Sequence, residues 1–275
     1  MRSILVPTDF SDCAQNAANA AIFIAVKLKA SIHFLHVMPL TDELMHVPHV
    51  SQVTTHDQKK GQAQNGLNLL VSSATRLGLT ATPMLVFDSG NERIENYITS
   101  LGIDLIVMGS HGATGIRELV IGSNTQRVVR NSPVSVLVIK QPISDPFKIE
   151  NIVFASTFRE EIVLPFNQVA LLAKLWNAKV HILFINFIDK LVDQVTIDSI
   201  VKKLTESHPD LQFTTNTAEA NDEEFGIHQF VEMISAEMVA VTTYDKTGFL
   251  IRHSVAEDLV NHENIPVLVV KDSPS

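Results

Sequence analysis

The 275-residue chain is poor in cysteine, in tyrosine and tryptophan, and in positive charge, and each shortage removes a class of protein. Cys13 is its one cysteine, so no internal disulfide and no thiolate metal cluster can form. With no paired histidine close by in sequence, a small helix-packing role suits Cys13 better than that of a nucleophile. No apolar run reaches the roughly 18–20 residues needed to cross a bilayer. The N-terminus enters a strand at once, with no signal-peptide pattern, which sets the expectation of a cytoplasmic protein. A net charge of −9 lacks the basic footprint of a nucleic-acid binder. PTDFSD stands where a nicotinamide dehydrogenase would carry G-x-G-x-x-G, and GxxxxGK[ST] occurs nowhere. Without that lysine and a metal-binding acid, fast phosphoryl transfer is not expected.

What the chain does have is a domain-sized repeat. SILVPTD at 3–9 lies over NIVFAST at 151–157, and at the same spacing ASIHFLHV at 30–37 lies over AKVHILFI at 178–185. PVSVLVIK at 133–140 matches NIPVLVVK at 264–271. Such runs of Val, Ile and Leu suit strands buried on both faces of a parallel sheet. Between them, Ala18, Ala21, Ile22, Ala25 and Val26 form one stripe of a helix, as do Val169, Leu172, Ala173 and Trp176. The first copy reads as strands 3–8, 31–37, 80–87, 103–108 and 134–140, alternating with helices 12–29, 58–77, 91–101 and 121–131. The second repeats that order from 149 to 271. Alternation of this kind predicts an α/β fold with right-handed crossovers and a doubly wound parallel sheet. Domains are expected at 1–141 and 148–275, joined by QPISDPFK. Residues 1–141 carry 11 basic and 10 acidic side chains, residues 142–275 carry 10 and 20. An anionic ligand would therefore find the first copy tolerant and the second repulsive.

In doubly wound sheets ligands sit at the carboxyl ends of strands, at the switch point of strand order. After the fourth strand comes GSHGATGIRELVIGSNT, whose Gly109, Gly112 and Gly115 leave backbone amides open to an anion. Gly122, Ser123, Asn124 and Thr125 then open a helix, where free amides and the positive dipole end favour phosphate. An ordinary turn with helix caps is the alternative reading, and it would win for one such element; two so close together favour phosphate over it.

The spacing G-x2-G-x9-G-S over Gly109, Gly112, Gly122 and Ser123 resembles the nucleotide signature of the universal stress protein family. PTDFS at 7–11 and LHV at 35–37 strengthen the likeness, which runs through the chain twice. The resemblance implies tandem Rossmann-like domains of the adenine nucleotide alpha hydrolase-like type, each with five parallel strands in order 3-2-1-4-5 and helices on both faces. It implies a stress-response or signalling protein that binds ATP, with or without Mg, and has little or no catalysis beyond slow hydrolysis. Carried across residue by residue, Asp9 would meet the nucleotide's polar groups, with Pro7 and Thr8 shaping its turn. Val37 would offer backbone atoms to the adenine edge and Met108 would pack by base and ribose. Gly109, His111, Gly112, Gly122, Ser123, Asn124 and Thr125 would line ribose and phosphates, Asn124 being a small departure from the pattern. Helix capping is the alternative role for Asp9.

The second copy departs at these positions. Thr242 and Asp245 take the slots of Gly109 and Gly112, His253 that of Gly122 and Thr157 that of Asp9, while Ser254 survives. A carboxylate and added Cβ atoms repel and crowd a phosphate, so this copy is expected to bind no nucleotide. His46, His49 and His56 fit no zinc spacing and are expected in a solvated loop over the nucleotide. His111 has no evident acidic partner that would make it a base. The competing expectation is a ligand-free scaffold whose glycines only preserve the fold. The family's dimers pair by the last strand; 134–140 and 265–271 are both apolar until their terminal lysines, which predicts an intramolecular pseudo-dimer through these edges, with a further homodimer left open.

Overall fold

A computed structural model describes residues 1–39, 50–88, 92–112, 121–143, 147–156, 163–186, 193–220, 222–242 and 255–271, with side chains from 57 onward in the second of these stretches. The first half runs β1 (Ser3–Pro7), α1 (Asp12–Leu28), β2 (Ser31–Pro39), α2 (Val50–Thr75), β3 (Ala81–Asp88), α3 (Asn96–Leu101), β4 (Leu105–Gly109), α4 (Ser123–Asn131) and β5 (Ser135–Ile139). The second half repeats the order: β6 (Asn151–Ser156), α5 (Val163–Trp176), β7 (Lys179–Asn186), α6 (Gln194–Ser207), β8 (Phe213–Glu219), α7 (Glu223–Ile234), β9 (Met238–Thr242), α8 (Val255–His262) and β10 (Val267–Val270).

All ten strands join one sheet in the order β3-β2-β1-β4-β5-β10-β9-β6-β7-β8, so each half has the expected 3-2-1-4-5. Within each half every pairing is parallel. At the centre β5 and β10 run antiparallel, with Val138, Leu137 and Val136 opposite Val267, Leu268 and Val269. The pseudo-dimer through the final strands is therefore real, and its two central strands are buried along their whole length. Pairing satisfies a row of amides and carbonyls that two apolar edges would otherwise leave to water.

Stepping from β1 towards β3 and from β1 towards β5 goes in opposite directions, so right-handed crossovers put the helices on opposite faces. One core accordingly gathers Ala17, Ala21 and Ile24 of α1, Leu67 and Leu70 of α2, Phe166 of α5 and Leu204 of α6. The other gathers Ile98 of α3, Val128 of α4, Phe230 of α7 and Leu259 of α8. Both continue across the β5–β10 seam.

Several details differ from the pattern reading, among them the start of α3 at Asn96 rather than 91. Val26 is 40% exposed, because the stripe of α1 is centred on its small alanines, which let the helix lie close to the sheet. Helix α2 starts at Val50 rather than 58, since no proline or glycine interrupts 50–60. His56 thus lies on a helix, while His46 and His49 fall outside the described residues, as does the loop proposed to cover the nucleotide. The linker is also pinned at its far end. Phe147 is buried, packs edge-on against Phe23 of α1 and Trp176 of α5, and accepts a 2.8 Å hydrogen bond from Trp176 Nε1 through its carbonyl.

Candidate functional site

The switch point lies between β1 and β4, whose carboxyl ends deliver Asp9 and the glycine loop to one crevice. β1 ends at Pro7, and Thr8 completes the turn with three local bonds. Its N–H donates to the Leu35 carbonyl at 2.8 Å, its carbonyl meets His36 Nδ1 at 2.8 Å, and its buried hydroxyl accepts from Phe10 N–H at 3.0 Å. Phe10 takes a left-handed conformation, φ 64°, to reverse the chain into α1, and its ring lies 4.7 Å from that of His36. The N-cap of α1 is Ser11, whose hydroxyl accepts from Ala14 N–H at 3.2 Å. Asp9 is therefore not the helix cap. Its Oδ1 accepts from Ser11 N–H at 3.1 Å, and its exposed carboxylate stands over the loop that follows β4.

Asp9 and Gly112 touch: a Cβ on Gly112 would overlap the carboxylate Oδ2. At the loop's base, Gly109 lets the first turn of α1 lie against β4. A Cβ there would come within 2.9 Å of Cys13 Sγ and 3.0 Å of the Cys13 carbonyl carbon. Cys13 is buried, as its expected packing role requires. Its Sγ lies 3.2 Å from the Ile139 carbonyl and 3.7 Å from Ser110 Oγ. Ser110 Oγ bonds His111 Nδ1 at 2.9 Å, so the imidazole has a hydroxyl, not a carboxylate, on that nitrogen.

The loop's ends meet. Gly122 N–H donates to the Ser110 carbonyl at 2.8 Å, and a Cβ on Gly122 would come within 3.3 Å of His111 Cα. Gly122 is the N-cap of α4 and, having no side chain, makes no cap bond of its own. The amides of Ser123, Asn124 and Thr125 precede the first intrahelical bond, from Gln126 N–H to the Gly122 carbonyl, and Ser123 and Asn124 are exposed. The Thr125 hydroxyl does not face solvent: it is buried and donates to the Gly109 carbonyl at 2.9 Å, tying α4 to β4.

On the other side of β1, strand β2 runs past its neighbour. The Leu35 carbonyl points at β1, so Val37, two residues on, turns its N–H and C=O the same way, into the space beyond β1's end. Met108 is buried in the core under the crevice. Thus Pro7, Thr8, Asp9, Val37, Met108, Gly109, His111, Gly112, Gly122, Ser123, Asn124 and Thr125 all fall at the carboxyl ends of β1, β2 and β4 or the start of α4. A cavity of about 750 Å³ opens elsewhere, between α1, α2 and β2, and includes Phe10, His36, Met38, Gly66 and Leu70 but none of this set.

Missed from the sequence were Ser11, Ser110 and the contribution of the second half. Asn261 Oδ1 accepts from Ile121 N–H at 2.7 Å, directly before Gly122. The Lys140 ammonium, pushed below its ordinary range by burial, donates to the Asn261 carbonyl. Ser11 was legible as a Ser at a helix start; Asn261 carried no local signal. In the second half, Thr242 ends β9 at the place of Gly109, and Asp245, His253, Ser254 and Thr157 lie outside the described residues. Among the described residues no three His, Cys, Asp or Glu gather to hold a metal ion, and no helix is long and apolar enough to cross a membrane.

The whole chain superposes on a universal stress protein from Archaeoglobus fulgidus with a TM-score of 0.76 at 20% identity, covering 98% of each chain. A putative universal stress protein from Pseudomonas aeruginosa follows at 0.67 and 17%, covering 99% of this chain and 94% of its own. In sequence, a universal stress protein of Methanocaldococcus jannaschii is 32% identical over 142 residues, 51% of this chain and 83% of the relative. One from Bacillus subtilis is 27% identical over 144 residues, 50% of this chain and 97% of the relative. The model of the Universal stress protein family matches residues 1–140, half of the chain, and with this sheet order repeated on either side of one antiparallel seam, the chain belongs to the universal stress protein family.

Proposed function

We propose that the first half binds ATP at the crevice between β1 and β4, as a stress-response or signalling module with little or no catalysis, and that the second half binds none. The observation that carries this reading is the closure of Gly122 onto Ser110 and His111, which sets the start of α4 beside the 109–112 turn. Three first-turn amides with no partner among the described residues, and the dipole's positive end, suit phosphate oxygens. Val37's backbone groups suit the adenine edge, and the exposed Asp9 carboxylate suits ribose hydroxyls better than phosphate. Magnesium would arrive on the phosphates. The units so assigned are 1–141, with the intact motif, and 148–275, without it. Ser110 Oγ lies 2.9 Å from His111 Nδ1 but is only 1% exposed, out of a substrate's reach, so turnover is expected to be negligible or slow.

One observation favours the scaffold reading instead. Gly109 and Gly112 each have a packing reason, against Cys13 and Asp9, that needs no ligand. Calorimetry with ATP separates the two: the nucleotide reading expects one site per chain, the scaffold none, and two equivalent sites would refute the asymmetry. Mass spectrometry of ligands released from the purified protein gives the same answer without titration.

A further inference from the structure

The geometry points to α8 of the second half as the clamp that positions the phosphate-binding end of the first, with Asn261 as its positioning residue. This rests on the ATP reading and adds to it a reason why the second half, its own glycines replaced, is still needed.

Asn261 and Glu257 are four residues apart and so share one face of α8. That face holds α4 at both ends. Asn261 Oδ1 takes the Ile121 N–H at 2.7 Å, one residue before the N-cap Gly122. Glu257, 1% exposed, takes Gln126 Nε2 at 2.8 Å and both Nε and a terminal nitrogen of Arg130 at 2.9 Å. The direction of the Ser123, Asn124 and Thr125 amides follows from where α4 begins and how its axis lies. Ser110 fixes one side of that start from within the first half, and Asn261 fixes the other from outside it.

Among the described residues the clamp is one-sided, although its frame is symmetric. Aligning β5 with β10 puts Arg130 opposite Asn261 and Gln126 opposite Glu257. Two contacts obey this twofold: Lys140 Nζ donates to the Asn261 carbonyl, and Lys271 Nζ donates to the Arg130 carbonyl at 3.3 Å. Each lysine caps the carboxyl end of the other half's helix, where a cation is favoured. The side chains break the symmetry. Asn261 reaches the backbone ahead of α4, whereas its counterpart Arg130 turns to Glu257. Support therefore runs from the half that has lost the phosphate motif to the half that keeps it.

The test is Asn261→Leu in the full chain, titrated with ATP and with adenosine. Losing an acceptor for a half-buried amide should weaken ATP about tenfold, while adenosine, which never reaches α4, should hold within about twofold. Amide exchange at Ile121 should quicken in Asn261→Leu and stay slow in Asn261→Asp, which keeps the acceptor. Asn261→Ala adds no bulk and serves the same comparison if leucine is not accommodated. Equal losses for both ligands, or unchanged ATP affinity with wild-type binding intact, would overturn the clamp. If the wild-type chain binds neither ligand, the ATP reading itself fails and takes the clamp with it; faster exchange at Ile121 would then mark a purely structural contact.

Discussion

The two halves share a frame and differ in what hangs from it. Both have the order 3-2-1-4-5, both bury β4 and β9 on two faces, and both present a terminal lysine to the opposite helix. The difference is at the switch point. In the first half Gly109 admits the first turn of α1; in the second, Thr242 stands in its place. Their matching histidines on the second strand differ too. His181 is held between Thr214 Oγ1 at 2.9 Å and Asn151 Oδ1 at 3.1 Å, whereas His33 Nδ1 is buried with no partner among the described residues, and burial pushes both below the ordinary imidazole range. Duplication copied the apolar pattern that sets the fold, while polar detail diverged, because a sheet needs only its alternation of strand and helix and a phosphate site needs every Cβ and amide in place.

The largest expected effect comes from making the first half resemble the second. Gly122→His should weaken ATP at least about 100-fold, the scale of losing several charge-assisted bonds. Its new Cβ would sit 3.3 Å from His111 Cα, close enough to shift the loop but at an ordinary φ, so the fold should survive. Circular dichroism with calorimetry reads both; a folded variant with unchanged affinity would put the phosphates elsewhere.

Next is Gly109→Thr, copying Thr242. Overpacking against Cys13 should cost about 1–3 kcal/mol in urea unfolding. Adding Cys13→Ala removes the Sγ contact but not the backbone carbon and oxygen at 3.0 and 3.1 Å, so it should restore only part of the loss. Full restoration would mean the side chain alone set the approach.

Smaller again is Arg130→Ala. It leaves the Glu257 carboxylate, 1% exposed, with only the Gln126 amide of its two partners on α4. Breaking a buried pair is costly, but the Arg130 side chain is 58% exposed and screened, so about 1–2 kcal/mol is expected, less in high salt. No loss at any salt concentration would remove the ion pair from the seam's energetics.

The repeat exposed the fold because each strand reads as a continuous apolar run and each helix as a stripe. Even the antiparallel seam was visible, in two apolar edges that stay uncharged until Lys140 and Lys271. The site was half legible. Gly109, Gly112 and Gly122 could be found by spacing, but not that Gly109 faces Cys13 or that the Thr125 hydroxyl turns inward to the Gly109 carbonyl, since such contacts depend on how closely α1 and α4 approach β4. Asp9 reads equally as cap or ligand until Ser11 is seen capping α1. Asn261 was invisible, because its partner Ile121 is 140 residues away and a backbone amide leaves no mark on composition.

The smallest effect concerns pH, and it belongs to the second half. His228 Nδ1 on α7 donates at 2.9 Å to Glu263, a buried carboxylate just past α8, and its imidazole is raised above the ordinary 6.5, first by that hydrogen bond and then by the charges of Glu263, Glu232 and Glu224. His262 engages Glu224 nearby, and the Lys140 ammonium of the first half feels the charge of Glu263, so the group faces both signs of charge. A folded-state value above the unfolded one means that the folded protein holds this proton more tightly. The stabilisation is then fully present below about pH 6.5 and is lost as pH rises through the folded value. His228→Gln should therefore lower the unfolding midpoint at pH 6 and converge on wild type as pH rises through the folded value, with the gap narrowing in salt because the ring is 41% exposed. A gap that stayed constant across that range would show that the ring contributes by packing, and that the protonated pair with Glu263 does not form.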